Sequence, residues 1–505
     1  MTAEAGTPLA PLTRDLARAE SARFDLIVVG GGIHGACLLY EASRRGLSGL
    51  LVEQNDFGGA TSWNSMRILH GGFRYLQSFD LPRYIESVRA RRWFLRMFPG
   101  MVEPLSCVMP LYGEGLKRPE AFRAAVLLNR MLLGFEGRQP GELKLHAGAV
   151  LSPSDVVQDW QQVPTSGLRG GGMWADARML CPERYLVHLL RVAVGRGSMA
   201  LNYVRAESLI VESNSVRGIE AVDTETGRSL RFSGDLVINA AGPQCRVLSE
   251  SFSAQQPDLF MPVRAFNLVL NRVPVSESAI AISTRRAGAQ THFMVPWGDR
   301  LVVGTPQIAC DPDDFDPRPT KANVKMLLAD LNEAAPGLDV SLGDVHSVWS
   351  GLVPAPFAGA TETTDRAKIV EHGRNGGPDG LISVSGVKYT TAPMLARRVI
   401  ERIPGPPMAP FPDAPNWSGD HDIPGYGGNM DRLRAIARDE SVIHADDLVF
   451  RRTGLWQDSS IAMEALGSMA SSLGWDHAQL AFERDRLAGS LRTLARPWDR
   501  DGAGD

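Results

Sequence analysis

Residues 24–53, FDLIVVGGGIHGACLLYEASRRGLSGLLVE, constrain the fold more than any other stretch of the chain. An apolar run leads into a glycine turn, a helical pattern, a second apolar run and a lone carboxylate. Gly30, Gly32 and Gly35 have the G-x-G-x-x-G spacing. In that context the first glycine allows a tight turn out of the strand, and the second lets backbone approach a pyrophosphate. The third lets the helix pack closely on the strand. Ile33 and His34 open the helix, whose unpaired N–H groups suit phosphate oxygens. Glu53 ends the second strand, where a carboxylate accepts the hydroxyls of an adenosine ribose, and Gln54 follows it. The pattern predicts a dinucleotide site on an α/β sheet, with the dinucleotide and its chemistry left open.

A chain of 505 residues suits two to three domains. The net charge of -4 and a pI near 6.2 argue against a nucleic-acid partner, since such proteins are usually basic. The five cysteines are scattered without a C-x-x-C pair, which predicts a reduced compartment with no disulfide framework and no metal site. Residues 1–23 are polar, lack the apolar core of a signal peptide, and read as a disordered or loosely attached arm. No run approaches the ~18 apolar residues of a membrane span. The expectation is a cytoplasmic protein, with peripheral attachment to the inner face of the membrane as the alternative.

The loop 54–77, QNDFGGATSWNSMRILHGGFRYLQ, follows the second strand at the carboxyl edge of the sheet, where ligands sit. Its cluster of His70, Gly71, Gly72, Arg74 and Tyr75 reads either as a buried turn with a satisfied histidine or as a ligand contact. Residues 80–98 form a helix pattern capped by Asp80, with arginines on a solvated face. Residues 116–135 read as a core helix or as a helix lying in a membrane interface. Residues 149–185 read as loop, followed by a helix at 183–196 and strands near 199–211, 217–222 and 228–233. The apolar strand of DLVINAAGP (235–243) ends in small residues, as a buried parallel strand does when its end passes close to a ligand. Residues 262–350 alternate as short strands split by a helix at 319–334, which implies a second sheet domain. A strand, turn and helix return at 380–403, a proline-rich linker spans 404–424, and helices follow near 428–440, 444–452 and 458–490.

The dinucleotide unit is therefore discontinuous. DLIVVGGGIHGA (25–36), GGATSWNSMRILHGGFRYLQ (58–77), WADARM (174–179), LVINAAGP (236–243), FMVPW (293–297), GTP (304–306), WSGLVP (349–354), SGVKYTTAP (385–393) and RRTGLW (451–456) occur in order. On these segments the chain resembles the FAD-dependent glycerol-3-phosphate dehydrogenase family, within the D-amino-acid-oxidase-like superfamily. The resemblance implies a mixed α/β fold: a Rossmann-like FAD-binding domain (24–100, 149–255 and 366–403), an inserted antiparallel-sheet substrate domain (101–148 and 256–365), and a helical C-terminal domain (425–505).

It also implies hydride transfer from a CH–OH substrate to flavin, with quinone or oxygen as the electron acceptor and homodimerisation and membrane contact as further expectations. FAD contacts are expected from Thr61, Ser62, His70, Gly71, Gly72, Ala240, Ala241, Gly242, Gly351, Gly386, Lys388, Tyr389 and Thr390, beside the residues of the first glycine motif. Arg74, Tyr75, Arg366 and Lys388 match active-site positions, and His70 is a further catalytic candidate from the loop. A cation such as Lys388, at a helix start, suits the charge of reduced flavin. Four departures bear on the substrate. Val353 stands where the family has a phosphate-facing arginine, and Asn267 where it has a histidine. Trp63 and Met66 intrude into a serine-rich run in which Arg67 replaces lysine. GTPQ (304–307) replaces a GTTD-like turn. Losing a bidentate arginine–phosphate contact weakens recognition of glycerol 3-phosphate. An amine or amino-acid oxidase and a non-catalytic flavin-binding partner are the rival readings.

Overall fold

A computed structural model describes residues 9–113, 115, 117–135, 145–252, 258–286, 288–408 and 430–499. Its centre is a six-stranded sheet in the order Lys368–Glu371, Leu381–Ser385, Val237–Asn239, Leu26–Val29, Gly49–Val52 and Met199–Leu201. Every pairing is parallel except that of Lys368–Glu371 with Leu381–Ser385. The strands read as unbroken apolar runs because helices and a second sheet cover both faces. Helix Ile33–Arg44 lies on one face and packs against Pro182–Gly195 and Ala392–Ile400. On the other face lies a four-stranded sheet ordered Arg23–Phe24, Ser229–Gly234, Ser215–Asp223, Val204–Glu212.

The remaining strands form a nine-stranded sheet. Its main path is Val345–Ala355, Met261–Leu270, Arg300–Ala309, His292–Trp297, Ala279–Ile282, Val102–Leu111, Gly170–Met179 and Ile68–Leu69. Ala149–Leu151 pairs beside Gly170–Met179. Only the pairing of Ala279–Ile282 with Val102–Leu111 is parallel.

Several expectations are corrected. The stretch 149–185 is not loop throughout: Gly170–Met179 is a ten-residue strand, so residues 149–179 contribute to the antiparallel sheet. Its glycines conceal the pattern, yet they are what close packing needs, since a Cβ on Gly172 would lie 2.3 Å from the Phe122 ring. The arm is not loose from residue 9 onward. Leu12 and Ala19 are buried, Leu12 N–H donates to Asp439 O at 2.8 Å, and Arg14 pairs with Asp223; residues 1–8 lie outside the described residues. The arginine face of helix Leu81–Met97 is not wholly solvated, because Arg91 is buried.

The last helical stretch is two helices, Ser459–Leu473 and His477–Ala495, separated where Gly474 adopts φ +70°. Helix Pro119–Phe135 buries Phe122, Ala125 and Val126, as a core helix does, and leaves Leu127 and Met131 exposed. Of the linker 404–424, residues 409–424 lie outside the described residues.

Candidate active site

The three central strands Leu381–Ser385, Val237–Asn239 and Leu26–Val29 end together, and their C-terminal ends border a cavity of about 720 Å³. Gly30 leaves its strand at φ +109°, and a Cβ there would lie 2.5 Å from Ala240 O. A Cβ on Gly35 would lie 1.8 Å from Gly30 O, so the helix can sit this close to the strand only without a side chain. Gly32 is the N-cap of helix Ile33–Arg44 and provides no side-chain cap. Ser62 Oγ takes the Ile33 N–H at 2.9 Å, drawing the following loop against the helix start.

Glu53 accepts the Gly31 N–H at 2.7 Å and the Asn55 N–H at 2.9 Å. Burial pushes its carboxyl up, and these backbone donors oppose the rise. Burial also pushes the His34 imidazole down to about 4, so it is neutral at pH 7, and its Nε2 has no hydrogen-bond partner among the described residues. The His34 ring lies where a Cβ on Gly386 would fall, 1.9 Å away.

The cavity wall includes Gly30, Gly32, Ile33, His34, Glu53, Gln54, Thr61, Ser62, Ala240, Ala241, Gly242, Gly351, Gly386, Lys388 and Tyr389, all named from sequence. Gly35 and Thr390 stand behind the wall: Gly35 packs the helix, and Thr390 is buried at the start of the last turn. His70, Gly71 and Gly72 do not line the cavity. Buried Asp176 organises them, accepting from Gly71 N–H at 2.7 Å and lying 3.0 Å from His70 Nδ1. Trp174 Nε1 and Arg91 complete its shell at 3.2 and 3.4 Å. Burial opposes the Asp176 charge, but His70, Arg91 and the Gly71 N–H outweigh it and hold the carboxyl below its ordinary range.

Lys388 is the predicted catalytic residue that lines the cavity. Its ammonium hydrogen-bonds Tyr75 OH and lies 4.7 Å from the centre of that ring, while Arg83 lies 4.9 Å from it. Arg83 also pairs with Asp80 and Asp365, and Arg366 adds positive charge near Asp80. Tyr75, Lys388 and Arg366 thus belong to one rim cluster. Arg74 is exposed on the short helix Phe73–Gln77.

Of the departures, Met66, Asn267 and Val353 do line the cavity. Asn267 accepts from Thr305 Oγ1 at 2.6 Å and donates to Asn64 O at 3.2 Å. Trp63 does not line the cavity. Its ring packs on Phe450, Trp349 and Trp456, and Nε1 donates to Phe450 O at 2.6 Å. Sequence reasoning missed the cavity residues Asn55, Asp56, Val204–Glu207, Phe260 and Phe315, while Thr305 lies within the GTPQ departure. Among the missed residues only Asn55 and Asp56 carried a signal, as the loop directly after Glu53.

The cavity fits an extended FAD. Glu53 and Glu207 mark one region of its wall, the glycine turn and the uncapped helix another, and Gly386, Val387 and Lys388 a third. The model for FAD-dependent oxidoreductases of the DAO type matches residues 25–402. Glycerol-3-phosphate dehydrogenase of Synechocystis sp. is 26% identical over 415 residues, 80% of this chain and 74% of that protein. Alpha-glycerophosphate oxidase of Streptococcus pyogenes is 29% identical over 335 residues, 65% of this chain but only 54% of that protein. The solved glycerol-3-phosphate dehydrogenase of Bacillus halodurans, complexed with FAD, superposes with a TM-score of 0.73 at 20% identity, covering 96% of this chain and 98% of that one. Glycine oxidase of Geobacillus kaustophilus superposes at 0.55 and 18% identity over 77% of this chain and 98% of that one. The likenesses to these two structures establish the fold, and the match over 25–402 makes the chain a member of the FAD-dependent oxidoreductase family.

Proposed function

We propose that this FAD-dependent oxidoreductase takes a hydride from a CH–OH carbon of glycerol 3-phosphate or a related hydroxy compound. FAD, when bound, supplies the two-electron acceptor. The observation that carries the reading is the Lys388 ammonium in the cavity wall just beyond strand Leu381–Ser385, hydrogen-bonded to Tyr75. There it stabilises negative charge on the cofactor or on an anionic substrate. Arg366 adds positive charge near Asp80 at the rim. His70, held toward Asp176 outside the cavity wall, orders the segment that carries Tyr75.

Asn267 and Thr305 contribute polar atoms to the wall, and Met66 and Val353 apolar surface. That mixture supports hydroxy compounds less anionic than glycerol 3-phosphate as further substrates. Mixing the FAD-loaded protein with millimolar glycerol 3-phosphate under anaerobic conditions is expected to bleach the flavin absorbance. An unchanged spectrum with that compound and with neutral polyols would refute the reading.

Electrons leave to quinone or oxygen in this scheme. A peripheral membrane position for a cytoplasmic enzyme is supported by the exposed Leu127 and Met131, four residues apart on helix Pro119–Phe135. No helix among the described residues is long and apolar enough to cross a membrane. Flotation with anionic liposomes tests the position, and protein remaining entirely unbound would count against it.

A further inference from the structure

Loop 54–67 has two sides. Gln54 to Asp56, Gly59 to Ser62 and Asn64 to Met66 line the FAD cavity. Three residues of the same loop are gripped from behind by one short segment, 447–457, beyond the family-matched region. The first grip is ionic. Arg452 donates to both Asp56 oxygens, at 2.7 and 2.8 Å, and Arg451 Nε donates to Asp56 Oδ2. The second is the Trp63 Nε1 bond to Phe450 O, with Trp456 edge-on to the same indole at 5.2 Å. The third is Arg67, whose guanidinium lies 5.6 Å from the Trp456 ring and 4.7 Å from Trp349.

The grip is rigid. Arg452 and Asp56 are fully buried, and Arg451 is held in turn by Asp447, which also accepts from Tyr203 OH. Burial would push the Asp56 carboxyl up, but Arg452 and Arg451 hold it at about 2. The loop reaches the dinucleotide turn directly, because Gly58 N–H donates to Gly31 O at 3.0 Å and Ser62 takes the Ile33 N–H.

We propose that segment 447–457 positions the cofactor loop, so that Arg451, Arg452 and Trp456 act on FAD retention through Asp56, Trp63 and Arg67. None of the three arginine and tryptophan side chains of this segment lines the cavity, so they are positioning residues. The inference rests on the family's use of FAD and not on the substrate. By reciprocity of coupled equilibria, FAD must also steady segment 447–457.

The test uses the full-length, FAD-loaded protein, with release followed by the rise of free-flavin fluorescence after dilution. Arg451→Gln and Trp63→Phe are expected to speed release by about five- to 150-fold, the usual range of such coupling. Arg434→Gln breaks a different C-terminal ion pair, Arg434–Asp431, which touches neither the loop nor segment 447–457. It should release FAD within about twofold of the parent, as for an independent site. Parent-like release by folded Arg451→Gln and Trp63→Phe would overturn the proposal, as would equally fast release by Arg434→Gln. Hydrogen exchange of the unsubstituted protein provides a reading that needs no variant. Amides of 447–457 should exchange more slowly with FAD than without it, and equal rates would refute the coupling.

Discussion

Asp176→Asn is the sharpest test of how the His70 loop is held. The carboxylate is buried, with Gly71 N–H and Arg91 on Oδ1 and Trp174 Nε1 and His70 Nδ1 on Oδ2. Asparagine keeps the shape but removes the charge, and it turns one acceptor into a donor. If the amide oxygen keeps the Gly71 bond, its NH₂ faces the Trp174 N–H, and that buried donor loses its partner. Arg91 suffers more. Burial already lowers its pKa, and the Asp176 charge is the main influence opposing that shift. Its Nη1 retains only the Ala175 carbonyl at 2.7 Å. Removing one member of a buried pair costs about 3–5 kcal/mol, which already contains the penalty of the stranded partner.

The measurement is urea unfolding of the parent, Asp176→Asn, Arg91→Met and the double variant, compared at a common slope. The double variant should lose less than the sum of the two single losses, by about 0.5–3 kcal/mol. Because the Asp176 pKa is depressed in the folded state, its contribution is present above the ordinary aspartate value and fades as pH falls. The penalty of Asp176→Asn should therefore shrink below about pH 4. A single-variant loss under about 1 kcal/mol, or strict additivity of the pair, would refute the account of a charge-organised loop.

Other outcomes follow from the same geometry. Gly35→Ala should force the helix off its strand by about 1–3 kcal/mol and weaken FAD binding, since its Cβ meets the Gly30 carbonyl; a parent-like FAD titration would contradict this. Lys388→Met should retain FAD but slow substrate-driven flavin reduction by about 100-fold in stopped flow, and an unchanged rate would remove Lys388 from the chemistry. The Asp56 carboxyl is held at about 2 in the folded protein, so its stabilising contribution is complete above the ordinary aspartate range and is lost as pH falls toward 2. Melting curves between pH 5 and pH 3 should show Asp56→Asn losing the acid sensitivity that the parent displays.

The parallel core was legible because strand, turn and helix are local patterns: Gly30, Gly32, Gly35 and Glu53 sit within 24 residues and lie where their spacing implies. Ala240 was legible because small residues closing an apolar strand mark a close approach, and Gly386 and Lys388 through the resemblance carried by SGVKYTTAP. Strand Gly170–Met179 was hidden by the glycines that its packing requires. The role of Asp56 was hidden for a different reason. Its partners lie 395 and 396 positions away, and no local periodicity records an ion pair at that separation. His70 read equally well as ligand contact or satisfied turn because its setting depends on Asp176, 106 residues on. Trp63 was read as a departure bearing on the substrate, whereas its N–H directs it to the Phe450 carbonyl, away from the cavity wall.

The order of strands in the central sheet also governs when the protein can first hold its flavin. Val237–Asn239 pairs with Leu26–Val29 on one side and Leu381–Ser385 on the other. A chain emerging from the ribosome therefore carries its glycine turn for most of synthesis beside a sheet that lacks its other half. The floor of the site closes only after residue 385 has emerged, and the grip on loop 54–67 only after residue 456. Long-range pairing of this kind is slow, and its unpaired strand edges stay exposed in the interim. On this order of pairing, the FAD site is expected to be complete only late in synthesis.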